Sequence, residues 1–270
     1  MYQRGIMKKE KNVIYYSDEL SDEFAGDNIT ARKIDGSYAY LREGWAGRLL
    51  HIFWYRIIAV PLAFCYMKLH FHHKIINKKV LKKAGKNGCF MYGNHTHFLA
   101  DALIPTMVNH PRRVNVIVHP NNVSMPVLGR ITPYLGALPL PDDTDAARNF
   151  IHAVAASVGQ GCCVMIYPEA HIWPYYTKIR PFQDHSFRYP VTYQTPVFTL
   201  TNTYRKRRWG SRPQIVTYVD GPFYPDRSLT NKEQKKQLRD LAYEKMQERA
   251  KQNNMEIIRY VRRADAGEQQ

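Results

Sequence analysis

Acidic residues are what this 270-residue chain has too few of: 23 Asp and Glu stand against 39 Lys and Arg, a formal charge of +16. A chain so charged repels itself unless it meets an anionic surface or ligand, which leaves nucleic acid, anionic lipid headgroups and phosphorylated substrates as partner classes. Cysteine is sparse as well. Cys65, Cys89, Cys162 and Cys163 form no Cys-x-x-Cys pair, and three of them sit in apolar runs where a thiol behaves as a small hydrophobe, so a reducing compartment is the expected setting. Residues 1–11 are basic and polar and lack the apolar core of a signal peptide, so on this reading nothing there directs export. Internal repeats, low-complexity tracts and long flexible linkers are missing too, which argues for one catalytic domain with extensions at both ends. What is abundant excludes disorder: 44% of residues are apolar and 13% aromatic, enough to build a core.

One segment points to a membrane. Leu49 to Phe71 reads LLHIFWYRIIAVPLAFCYMKLHF, long enough to span a bilayer but interrupted by Arg56, Pro61 and Lys68. A charge near the centre of a span costs roughly 2.5–3.5 kcal/mol on insertion scales, which disfavours a simple transmembrane helix. The expectation is an interfacial or re-entrant helical pair bent at Pro61, with Trp45, Trp54, Tyr55 and Tyr66 at headgroup level. His70, His72 and His73 beside the lysines read as part of an interfacial basic face.

Beyond Lys86 short apolar runs alternate with helical periodicity, the pattern of an α/β domain with a mixed sheet flanked by helices. The expected strands are Cys89–Tyr92, Val114–Val118, Ala137–Leu140, Cys162–Tyr167, Val197–Thr201 and Ile215–Val219. Asp145–Val158 carries Ala146, Phe150, Ile151, Val154, Ala155 and Val158 at helical spacing, with Thr144 as its cap. Lys232–Gln252 keeps Leu238, Leu241, Ala242 and Met246 on one stripe, as a surface helix does.

The chemistry concentrates at two strand exits. After the apolar run Cys89–Tyr92, Gly93 permits a turn, Asn94-His95-Thr96-His97 follows, and Phe98–Val108 reads as a helix. Polar residues at such a junction stand at the mouth of an α/β sheet, where ligands bind. His95 can there accept a proton from a substrate hydroxyl, and Asp101, one turn into the helix, can hold the imidazole in the required tautomer. His97, four residues before Asp101, is the rival base. At the second exit, Val164–Tyr167 ends at Pro168, which cannot continue a ladder, and Glu169-Ala170-His171 is left at the same sheet edge.

These two segments together resemble the glycerol-phosphate acyltransferase family typified by bacterial lysophosphatidate acyltransferases, whose first block reads Asn-His-x4-Asp and whose third reads Phe-Pro-Glu-Gly-Thr-Arg. The resemblance spans about residues 85 to 220, with Leu135–Leu140 near the family's second block and Thr195-Pro196-Val197 near its fourth. It implies an N-terminal membrane-binding helical pair and acyl transfer from a thioester, from acyl-CoA or acyl carrier protein to a lysophospholipid, with no metal or cofactor. On it, His95 and Asp101 are catalytic, and Asn94, Glu169, Ala170, His171, Lys178 and Arg180 bind the acceptor. There are two departures. Five residues rather than four separate His95 from Asp101, and the Thr-Arg after the Glu is missing, so Lys178 and Arg180 are expected to supply the charge for the acceptor's phosphate. The chain then divides into an N-terminal extension (1–44), an interfacial membrane-binding helical segment (45–84), an acyltransferase domain (85–255) and a C-terminal tail (256–270). Membrane association on the cytoplasmic face follows from the same reading.

Two other classes compete. His95-Thr96-His97 is a His-x-His pair that His171, Glu169 and His185 could complete as a metal-dependent hydrolase, but the pattern with an Asp two residues past the second His meets Leu99 instead. A basic nucleic-acid-binding protein fits the charge and the 19 tyrosines, yet it lacks a binding motif and leaves both strand exits unexplained. Arg205–Arg208 is assigned to the acyl donor or lipid headgroups, with a solvated loop as the alternative.

Overall fold

The computed structural model of the chain describes residues 12–24, 29–42 and 44–263. Strand β1 (Asn12–Tyr16) is followed by one continuous helix, Trp45–Phe71, made of α1 (Trp45–His51), a π-helical stretch (Ile52–Ala59) and α2 (Val60–Phe71). Next come β2 (Lys74–Ile76), a 3-10 segment (Lys78–Ala84), β3 (Cys89–Gly93), α3 (Phe98–Asn109), β4 (Val114–Val118), α4 (Leu128–Ile131), β5 (Ala137–Pro139) and α5 (Thr144–Gly159). The chain continues through β6 (Cys163–Ile166), α6 (Arg188–Tyr193), β7 (Val197–Arg205), β8 (Gln214–Phe223), α7 (Asn231–Ala250) and β9 (Ile258–Arg262).

Seven strands form one mixed sheet in the order β2-β8-β7-β3-β6-β4-β5. From β7 to β5 every neighbour is parallel; β8 turns back antiparallel to β7, and β2 joins it in parallel. The central strands β3 and β6 are buried along their whole length, which is why they read as unbroken apolar runs. Strand alternation divides the core in two. Cys89 and Met91 of β3 pack with Met67 and Phe71 of α2 and Ile104 and Met107 of α3, while Phe90 and Tyr92 pack with Phe150 and Val154 of α5 and Leu238 and Met246 of α7.

The fold class expected from the pattern is the one observed, with corrections at several places. The helical pair bent at Pro61 is instead a single helix. Pro61 has no N–H to return to residue 57, and the wider π turn just before it accommodates that loss: Val60 N–H reaches Tyr55 O, five residues back. The α5 cap is Asp143, whose Oδ1 accepts from Ala146 N at 2.8 Å, so Thr144 is the first helical residue. Strands β7 and β8 run to Arg205 and over Gln214–Phe223, well beyond the apolar runs that marked them. Cys89 and Cys163 are register partners on β3 and β6 and are joined as a disulfide, with Cys65 and Cys162 free, so the thiol-based inference of a reducing compartment loses its support. The first eleven residues lie outside the described part of the chain. Strand β1 pairs in parallel with β9, which ties residues 12–16 to residues 258–262.

Candidate functional site

The site begins where β3 runs out. A side chain on Gly93 would meet Met165 Cε at 2.5 Å and Leu200 O at 3.2 Å, so glycine is what lets β3 lie between its neighbours up to its last residue. Asn94 then extends the ladder with its side chain: its Nδ2 donates to Asn202 O at 3.0 Å, and its Oδ1 accepts from Asn202 N at 2.8 Å. Both ends of the amide are thus occupied by β7 and the residue is buried, so Asn94, expected to bind substrate, anchors the turn.

That anchored turn delivers His95. Its Nδ1 lies 2.9 Å from Asp101 Oδ2, and the same oxygen accepts from the backbone amides of Thr96 at 2.8 Å and His97 at 2.9 Å. Asp101 sits in the first turn of α3, where the unpaired amides of a helix start favour a carboxylate. The extra residue between His95 and Asp101 is absorbed by extended backbone: His97 (φ −158°) is still outside the helix, and Asp101 reaches back over it. Asn202 Nδ2 donates to the other oxygen, Oδ1, at 3.2 Å. The carboxylate is 2% exposed and the imidazole 17%, so the pair is rooted inside and opens only at the His95 ring. Tyr167 fixes that ring from one face, stacking at 4.3 Å and 16°, while its hydroxyl donates to Asp101 O at 2.5 Å.

His97 is engaged differently. Its Nδ1 caps α3 by accepting from Ala100 N at 3.2 Å, its Nε2 lies 3.5 Å from Tyr175 OH, and burial lowers its pKa. With both nitrogens committed away from His95, the His-x-His pair does not converge. His185 is 85% exposed beside Asp184, and among the described residues no three His, Cys, Asp or Glu side chains are grouped to hold a metal ion.

Glu169 and Arg180 form a buried pair behind the turn, 3.4 Å apart with both side chains fully inaccessible. Glu169 Oε2 accepts from His95 N at 3.1 Å and Oε1 from Arg180 N at 3.1 Å. Burial pushes the Glu169 carboxyl up from its ordinary value, and Arg180 and the two amides pull against that. The Arg180 guanidinium is also bonded to His171 O and Glu19 O and lies over the Trp173 ring at 4.9 Å. The expected phosphate contact from Arg180 is therefore corrected: no face of it is open to a ligand. Lys178 is exposed, His171 is half-buried with Nδ1 3.4 Å from Glu23 Oε2, and Ala170 is exposed in the left-handed conformation at φ +64°.

That last angle is one that glycine adopts without a Cβ penalty. A left-handed residue with a Cβ costs about 1–2 kcal/mol, so Ala170→Gly is expected to raise unfolding free energy by about 1 kcal/mol in denaturant titration.

Trp173, Tyr16, Phe24 and Tyr260 stack together, with Trp173 Nε1 donating to Asp22 O at 2.7 Å, so the β1–β9 ribbon braces the loop that holds Glu169 and Arg180. None of these residues was identified from the pattern, and neither were Asn202, Thr217 and Tyr167. The nearest clue was Asn202, an amide inside a central strand, which has to find side-chain partners there.

Among solved structures, the crystal structure of the 1-acyl-sn-glycerophosphate (LPA) acyltransferase PlsC from Thermotoga maritima matches with a TM-score of 0.52 and 16% identity, covering 78% of this chain and 98% of that one. The two chains share a fold. No family model matches this sequence, and no curated protein matches it. The match to the Thermotoga enzyme spans almost all of that chain, so the likeness is to the whole fold and not to one supersecondary unit.

Proposed function

We propose that this protein is a membrane-associated O-acyltransferase that moves a fatty acyl group from acyl-CoA or acyl carrier protein to the free hydroxyl of a lyso-glycerolipid, with 1-acyl-glycerol-3-phosphate as the first acceptor to test. The observation that carries the reading is the His95–Asp101 pair, 2.9 Å apart and open only on the imidazole, in a fold shared with such an enzyme. With Nδ1 bound to Asp101, His95 Nε2 takes the proton from the acceptor hydroxyl as its oxygen bonds to the thioester carbonyl carbon. The carbon–sulfur bond then breaks, and the departing thiolate takes the proton back from His95. Asp101 keeps the tautomer and stabilises the imidazolium, and the reading uses neither metal nor cofactor. Residues 85–255 form the acyltransferase unit. Lys178 is left as the cation for an acceptor phosphate, and Ala170 and His171 lie on the loop between it and Glu169.

Residues 45–84 serve as the interfacial segment on the cytoplasmic side. Trp45–Phe71 is long and apolar enough to cross a membrane, with 17% of its most apolar window buried, and Trp45, Leu49, Ile57, Leu62 and Leu69 are more than half exposed. Arg56 and Lys68, the charges that argued against a span, donate to the carbonyls of Pro111 and His73 and so lie along the protein. Phe98 and Leu99, exposed at the start of α3, add apolar surface within a turn of His95.

Mass spectrometry of lipids after incubating the protein with mixed lysolipids and acyl-CoA tests the reading. Acylated product that is lost in His95→Ala is expected; no acylated lipid from any acceptor and donor would overturn it. In flotation, the intact protein is expected to rise with liposomes, and more completely when they contain anionic lipid, because the basic residues beside the helix add attraction of about 1 kcal/mol each near such a surface. Protein left at the bottom of the gradient in both cases would remove the interfacial assignment.

A further inference from the structure

Behind Asp101 a line of hydrogen bonds crosses the sheet to the foot of the apolar helix. Asn202 on β7 donates from Nδ2 to Asp101 Oδ1 at 3.2 Å, Thr217 on β8 donates from Oγ1 to Asn202 Oδ1 at 2.6 Å, and His73, two residues past α2, has Nε2 2.8 Å from Thr217 Oγ1. All four residues are at least nine-tenths buried: His73 and Thr217 are 0% exposed, Asp101 1% and Asn202 4%. His73, read from the sequence as part of an interfacial basic face, is thus an interior residue.

Each bond in the line dictates the next. A carboxylate offers only lone pairs, so Asn202 must turn its NH2 to Asp101 and its oxygen to Thr217. The single hydroxyl proton of Thr217 is then committed to Asn202, and Thr217 can only accept from the third partner. His73 must therefore carry its proton on Nε2. Burial and the nearby Lys68 hold its pKa down to about 4, which keeps the ring neutral with one N–H to give. Its Nδ1 has no partner. An apolar side chain would fill this space without stranding a nitrogen, so packing alone does not account for a histidine here.

Building on the acyl-transfer reading above, we propose that Asn202, Thr217 and His73 are positioning residues for the His95–Asp101 pair. They lock the Asn202 amide with its donor toward Asp101 Oδ1, so that Oδ2 stays on His95 Nδ1. Without the Thr217 hydroxyl the Asn202 oxygen is left buried with no donor, the amide is no longer held against Asp101 Oδ1, and the carboxylate loses the bond that fixes its tilt toward His95 Nδ1. The backbone of Asn202 cannot follow, being held by Asn94.

Thr217→Val keeps the branched shape and removes the hydroxyl. His73→Gln keeps an N–H donor at the end of the line, and His73→Met does not. With the full chain, acyl-CoA and lysolipid, Thr217→Val and His73→Met are expected to lower kcat about 10–100-fold, the scale of a misplaced catalytic group, with KM for both substrates within about two-fold of wild type. His73→Gln is expected to recover most of the loss, which a packing role would not produce. The His95 Nδ1 proton, followed by NMR on 15N-histidine-labelled protein, should shift or vanish in Thr217→Val. Wild-type kcat in Thr217→Val and His73→Met, or equal damage from His73→Gln and His73→Met, overturns the proposal. If those variants are fully active while His95→Ala is dead, the relay has failed and the acyltransferase reading stands. If His95→Ala itself transfers acyl groups, that reading has failed, and the Nδ1 resonance decides the relay: a shift in Thr217→Val supports it and an unchanged line overturns it.

Discussion

His95→Ala is expected to lower acyl transfer by about 10²–10⁴-fold, the range for removal of a general base, with the circular dichroism spectrum and unfolding midpoint close to wild type. The fold should tolerate the change because the imidazole is the open end of the His95–Asp101 pair, and because the bonds that hold the turn come from the backbone of residue 95 and from its neighbours. Glu169 accepts from the His95 amide, Trp173 N donates to its carbonyl, and Asp101 keeps its two amide donors whether or not the ring is there. His97→Ala separates the two histidines by the opposite pattern. Losing the α3 cap should cost about 1 kcal/mol of stability, while activity falls far less. Steady-state rates and denaturant titrations on both variants check this, and an inactive His97→Ala beside an active His95→Ala would reverse the assignment of the base.

Arg180→Met is expected to be the most destabilising single change. Removing one partner of a fully buried ion pair leaves the other charge unpaired in the interior, which costs about 3–5 kcal/mol. The loss should ease in acid. Burial already raises the Glu169 pKa above its ordinary value, and Arg180 is the foremost group pulling it back. Without Arg180 the folded-state pKa rises further, so the folded chain holds the proton that the unfolded chain gives up. Stability of the variant is therefore greatest below the ordinary carboxylate value of 4.5 and declines as pH rises toward the folded-state value. Urea titrations at pH 5 and pH 7 should show Arg180→Met closer to wild type at the lower pH; a gap that widens in acid would mean that the stranded charge is not on Glu169.

Physical chemistry explains which parts of this could be read from the chain. Strands β3 and β6 were legible because a central strand is apolar on both faces, and α5 because its apolar residues recur at helical spacing. The His95–Asp101 pair was legible because the residues are close in sequence and stand at a strand exit. Arg180 was misplaced for a simple reason: an arginine near a carboxylate reads as a ligand for anything acidic, and only the packing of Trp173 over it shows that it is sealed. The far half of β7 was missed because Asn202 and Thr203 look like the end of a strand. They are interior all the same, since Asn202 and Thr217 satisfy one another across β7 and β8, and Thr203 Oγ1 donates to Val216 O. Strands β1, β2 and β9 had no apolar alternation to announce them.

The π-helical stretch changes how the long helix has to be probed. Its most deeply buried residues are Tyr55, Val60, Ala63, Met67 and Phe71, so the inward step is five residues across the π turn and three or four afterwards. A helical wheel drawn at about 100° per residue sets Tyr55 and Val60 about 140° apart, on different faces, although both point into the protein. Probes such as spin labels, cysteines or tryptophans, placed along Trp45–Phe71 to find its outward-facing side, therefore fall out of phase if one wheel is used throughout. The segment before Ile52 and the segment after Ala59 each need a wheel of their own, and a one-residue deletion between them would turn one half of the helix against the other.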